Sequence, residues 1–143
     1  MIRYRLAAGL ALASILLVSF RYGTVRAEDI GRPQLKAGKP INIGDALAGE
    51  LDVLQVLDRK SGKKIVAYQI TSEPRQLPSP NGLCGLETGP ETFQLTTIGD
   101  AAAELSTLVG RKISVKVDDI ACAENAADVS EAVVRKWRLV KGH

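Results

Sequence analysis

Fifteen apolar or small residues, 6–20, follow the basic pair Arg3 and Arg5, and the segment runs on to Val25-Arg26-Ala27 ahead of Glu28. This pattern predicts a secretory signal peptide over residues 1–27, because the apolar run falls short of the roughly 20 residues that a spanning helix needs. Arg21 and Arg26 also place positive charge after the run, so an uncleaved membrane anchor is the alternative. Residues 28–40 show little periodicity and are punctuated by Gly31, Pro33, Gly38 and Pro40, which predicts a flexible arm. A domain is expected over residues 41–143.

Within that domain, alternation of period two dominates. Leu51, Val53 and Leu57 fall on one face and Leu54 and Val56 on the other, predicting a long strand over residues 49–58. A turn through Arg59-Lys60-Ser61-Gly62-Lys63 leads into a second strand, residues 64–71, so the two form a hairpin. Residues 72–90 hold Pro74, Pro78, Pro80, Gly82, Gly85, Gly89 and Pro90 and predict a long loop, with Cys84 as its pin. A third strand is expected at residues 92–98. Asp100 is placed to cap a helix of about two and a half turns through Ala101, Ala102, Ala103 and Glu104, with Leu105 and Leu108 or Val109 inward and Gly110 as its stop. Ile113, Val115 and Val117 alternate with Lys112, Ser114 and Lys116 in a fourth strand, residues 112–118, and residues 132–140 form a fifth.

The predicted class is therefore mainly β, with five strands and one helix between the third and fourth. That order matches an OB-like barrel, in which five strands close on themselves and the helix plugs one end. An unspecified small barrel or meander is the alternative.

Charge changes the picture of partners. The signal segment carries four of the 19 basic residues and none of the 16 acidic ones, so the remaining 116 residues hold 15 cations against 16 anions, a net charge of −1. A nucleic-acid partner is not expected, since phosphate neutralisation needs a surplus of Lys and Arg. Removal of the apolar segment leaves no expected membrane span, and the chain is expected to be periplasmic or secreted. Cys84 and Cys122 both lie in the exported part, where an oxidising compartment favours a structural disulfide between them. The redox alternative has no Cys-x-x-Cys spacing and no basic neighbour to lower a thiol pKa.

Gly49-Glu50-Leu51, Tyr68, Leu83-Cys84, Phe93-Gln94-Leu95 and the run Leu108-Val109-Gly110-Arg111-Lys112-Ile113-Ser114-Val115-Lys116 resemble a family of small secreted bacterial OB-like domains of unknown function. The likeness covers residues 49–140 and implies no activity. Members similar to this pattern often carry His residues after the fourth strand. Here Asp118-Asp119-Ile120-Ala121-Cys122-Ala123 stands in their place, so no metal or acid–base role carries over.

Catalytic chemistry finds little to stand on. His143, the only histidine, is the last residue, which disfavours a His-based triad. Asp118, Asp119, Glu124 and Asp128 cluster in sequence and could supply an acid and a base, but their spacing matches no EF-hand loop. No metal or cofactor is expected. Trp137 lies among Arg135, Lys136 and Arg138; in an unbroken strand Arg135 shares its face, and Lys136 and Arg138 share the other. Core or barrel closure is the favoured role for Trp137, and stacking of a sugar, a base or a partner side chain together with Tyr68 is the binding alternative. The expectation is a non-enzymatic binding module of the cell envelope that recognises a protein partner or small polar ligand. It would use residues 72–90 and 118–128, with Tyr68, Trp137, Asp118, Asp119 and Glu124 as candidate binding residues. An envelope enzyme using the loop carboxylates and a structural or inhibitory protein are the alternatives.

Overall fold

In the computed structural model, which describes residues 35–141, the chain forms β1 (Lys39–Pro40), β2 (Ala46–Leu57), β3 (Lys64–Thr71), β4 (Arg75–Gln76), β5 (Thr92–Leu95), α1 (Ala101–Ser106), β6 (Lys112–Cys122) and β7 (Ala132–Leu139). The expected signal segment, the arm up to residue 34 and His143 lie outside the described residues. Five of the strands pair in a closed ring, β2-β3-β5-β7-β6, with every pairing antiparallel except β5 with β7.

Two features of β2 let the ring close. Its first half, Ala46 to Glu50, pairs with β6, and from Glu50 onward it pairs with β3, so Glu50 stands opposite both Lys112 and Thr71. Gly49 sits at this handover, where a Cβ would run into the Thr71 carbonyl and lie 2.7 Å from the Ile70 Cγ2. A glycine is what allows so close a backbone approach. The inward set expected from alternation is found in part: Leu51, Ile113, Val115 and Val117 are inside, whereas Val53 and Leu57, expected on the Leu51 face, are exposed because the hairpin runs on past the ring. Leu47, Leu51, Ile70, Phe93, Val115, Val117 and Val134 are fully buried, and Leu105 of α1 joins the same cluster.

Several boundaries depart from the sequence expectation. β2 begins three residues earlier, at Ala46, because Leu47 continues the buried alternation and finds Val115 opposite. β5 stops at Leu95, where the Thr96 N–H turns to the Val134 carbonyl (3.0 Å) and Ile98 is left exposed. The helix is six residues long. Its Asp100 lies in the helical region and makes no side-chain capping bond, contrary to the capping role expected of it. β6 runs four residues past Asp118 because register shifts on either side of Asp119 restore the pairing, with Val117 opposite Trp137 and Ile120 opposite Val134. The same irregularity breaks the alternation on β7, so Arg135 is not on the Trp137 face, and Arg135 and Lys136 are both exposed.

The long loop is tied on both sides. β1 and β4 pair in parallel, the Gly38 N–H reaches the Thr88 carbonyl (2.7 Å), and the Arg75 N–H reaches the Pro90 carbonyl (3.1 Å). Successive turns carry the chain from Pro78 to Leu86, and Cys84 is joined to Cys122, the last residue of β6, with Cα atoms 5.4 Å apart. Among the described residues no helix is long and apolar enough to cross a membrane.

Candidate binding groove at the hairpin tip

Pairing lengths create a concavity at the hairpin tip. β3 pairs with β2 over all eight of its residues but with β5 only over Tyr68 to Thr71, so residues 64–67 and their β2 partners project beyond the ring. The turn at the tip is organised by Asp58. Its carboxylate accepts from the Lys60 N–H (2.9 Å) and the Ser61 hydroxyl (2.8 Å), and its carbonyl accepts from the N–H of Gly62, whose φ of +68° a side chain would resist. The bond from the Lys60 N–H, with that from Ser61, holds the Asp58 carboxyl below its ordinary value. Arg59, Lys60, Lys63 and Lys64 are left exposed around this turn.

The opposite wall is the connection between β6 and β7. Asp128 folds it locally, its carboxylate accepting from the N–H groups of Glu124 (3.1 Å) and Asn125 (3.0 Å). Three further attachments fasten it to the sheet. The Val129 N–H donates to the Gln94 side-chain oxygen (3.0 Å), the Ser130 hydroxyl donates to the Gln69 side-chain oxygen (2.7 Å), and the Glu131 carboxylate accepts from the Glu91 N–H (2.7 Å). Between hairpin and connection lies a groove of about 1390 Å³, walled chiefly by Leu57, Ile65, Val66, Thr96, Ala126 and Val129. It is apolar on its sides and lined by Arg59 and Lys60 at the tip, with Lys63 and Lys64 exposed on the same turn outside it.

The structure distributes the sequence candidates differently. Tyr68 is not on an open face: it follows Ile70 into the core and is 6% exposed. Trp137 is partly buried against the same cluster, and its indole N–H donates to the Thr96 carbonyl (2.9 Å), so it supports the groove wall from behind. Asp118 accepts a forked pair of bonds from Arg138, Nε at 2.9 Å and Nη2 at 3.1 Å. Its carboxyl is held below the ordinary value, first by those bonds and then by the positive charges of Arg138, Lys116 and Lys136. Asp119 stands opposite Lys136 across the ladder, and Glu124 is exposed beyond the end of β6. None of the three carboxylates lines the groove, and among the described residues no three His, Cys, Asp or Glu side chains gather as a metal site. A second hollow, of about 660 Å³, lies at the ring's closing seam, where Glu50 and Glu73 are balanced by Arg75 and Lys112.

Sequence reasoning missed Gln69, Gln94 and Ser130, the residues that fix the far wall. Their only signal is that the two glutamines sit on strands at positions alternation sends outward. No protein-family model, curated protein or solved structure matches this chain.

Proposed function

We propose that the chain is an exported OB-like binding module of the cell envelope, periplasmic or secreted, and that the groove at the hairpin tip captures a protein partner. The OB-like reading is supported by the ring order, the single parallel pairing of β5 with β7, and the helix between β5 and β6. In that architecture the second and third strands and the loops flanking them form the usual ligand face, and the groove occupies the corresponding place. The Cys84–Cys122 disulfide is what an oxidising, exported compartment leads one to expect. The resemblance to small secreted bacterial domains points the same way.

One observation carries the binding reading. Leu57, Ile65 and Val66 are each 46% or more exposed along a groove whose opposite wall is hydrogen-bonded in place. Clustered aliphatic exposure of this kind marks an interaction surface. The test is native mass spectrometry of the protein recovered gently from its own envelope, beside an Ile65→Asp/Val66→Asp variant with wild-type circular dichroism. A discrete partner mass lost in the variant supports the reading. Bare protein, or a partner that the variant retains, refutes it.

A further inference from the structure

We infer that the groove receives its partner as a strand: an extended acidic segment of another polypeptide that hydrogen-bonds along the free edge of β3 at residues 64–67. This rests on the binding-module reading and adds the partner's conformation and charge.

The first support is the vacated lane. β5 occupies the place beside β3 only as far as Leu95, opposite Tyr68, and the chain then turns to β7 through the Thr96 N–H. Residues 64–67 keep β2 on one side and, among the described residues, have no strand on the other. A strand needs a lane about 4.8 Å from its neighbour, and the groove opens along this edge with Thr96 and Thr97 at its inner end. A segment entering there would continue the line of β5.

Proteins usually blunt an open edge with a charge, a proline or a covering loop. Lys64 charges the outer end of this edge, and the 125–129 connection stands across the groove from it. Ile65, Val66 and Ala67, however, carry neither charge nor proline, and Ile65 and Val66 point to opposite faces of the hairpin. Alternate side chains of an added strand would therefore meet Ile65 and the small Ala126 and Ala127 on one face, and Val66 with Leu57 on the other. Strand addition combines main-chain bonds with such alternating contacts.

Charge selects the partner. Residues 58–64 hold Arg59, Lys60, Lys63 and Lys64 against Asp58, which is engaged within its own turn. Among the described residues the ion pair that forms is Arg138 with Asp118, elsewhere on the ring, so the four tip cations are uncompensated. Complementary acidic residues at one end of the incoming strand would fix its direction and speed its capture at low salt.

The experiment uses the full protein and labelled peptides with a run of Val ending in three Glu (the Val–Glu peptide), the same peptide with Lys for Glu (the Val–Lys peptide), and two N-methylated forms of the first blocking either alternate set of amides. Anisotropy should show saturable binding of the Val–Glu peptide and none of the Val–Lys peptide. One N-methylated form should bind about tenfold or more weakly, the other nearly as well as the parent. Hydrogen exchange should slow at residues 64–67 on binding, and Lys60→Glu/Lys63→Glu should cost about tenfold in affinity at low salt. The proposal is overturned by absence of peptide binding, by equal binding of all N-methylated forms, by protection elsewhere, or by a dimer whose residues 64–67 are already protected. If it fails while an envelope partner is still lost from Ile65→Asp/Val66→Asp, strand docking falls and the binding module stands.

Discussion

The Ser130 hydroxyl donates to the side-chain oxygen of Gln69 over 2.7 Å, joining the β6–β7 connection to the outer surface of β3 across 61 positions of sequence. Ser130 is buried, so removing its hydroxyl leaves the Gln69 oxygen short of a partner where water has poor access. Ser130→Ala should cost about 1 kcal/mol, or about 4–8 °C in Tm for a domain of this size. Amide exchange over residues 125–129 should quicken in the same variant. Exchange at the wild-type rate would mean that Gln94 and Glu131 hold the wall without this bond.

Gly49 makes a sharper demand. Any Cβ there meets the Thr71 carbonyl, which is backbone and cannot swing aside as a side chain can. Gly49→Ala should therefore destabilise by about 2 kcal/mol, although alanine is generally acceptable in a strand. Urea denaturation checks this, and a loss below about 0.5 kcal/mol would show that β2 and β3 can separate at the handover without consequence.

The disulfide closes a loop with a sequence separation of 38. In the chain-entropy account, opening it by Cys84→Ser/Cys122→Ser costs about 4 kcal/mol, a large share of a small domain's stability. The turns between Pro78 and Leu86 should become the most rapidly exchanging part of the described chain. Intact mass after alkylation without reductant, which should show no modified thiol in the wild type, checks the pairing in the isolated protein.

Much of this ring was legible because one face of each strand is buried. Residues 64–71 were bounded correctly, and the inward Ile113, Val115 and Val117 followed from period two alone. Parity and compartment led to the Cys84–Cys122 pair. The departures have physical causes. β1 and β4 are two residues each, too short for any periodicity. The irregular register around Asp119 cancels the alternation on which the end of β6 and the face of Arg135 were judged. Tyr68 and Val66 share a face, yet one is core and the other half open, because the ring ends between them. Where a strand outruns its neighbour is a tertiary fact, and so is the groove, whose walls come from three separate stretches of sequence.

Acid should expose the forked Asp118–Arg138 bonds. The Asp118 carboxyl lies below its ordinary value of 3.8 in the folded chain. Its stabilising contribution is therefore fully present above the unfolded value and fades as pH falls through the folded one. Asp118→Asn should lower stability relative to wild type near pH 6, and the gap should narrow steadily below about pH 4. A gap that stays constant to pH 2 would show that the pair contributes through geometry and not through charge.

Trp137 offers a reading of the groove from behind. As the single tryptophan of the sequence, it reports from the back of the wall, its indole N–H bound to the Thr96 carbonyl while Thr96 faces the groove. Trp137→Phe keeps most of the apolar contact with the core and removes that bond, so a loss of about 1 kcal/mol is expected. Occupation of the groove should change the emission of the wild-type protein, because a partner beside Thr96 alters the polarity around the indole's acceptor without touching the ring. Quenching by acrylamide should be intermediate in the free protein and nearly unchanged on binding, since the ring itself is screened by the core cluster. A large drop in quenching on binding would place the partner directly on Trp137 and restore the stacking role that its position in the ring argues against.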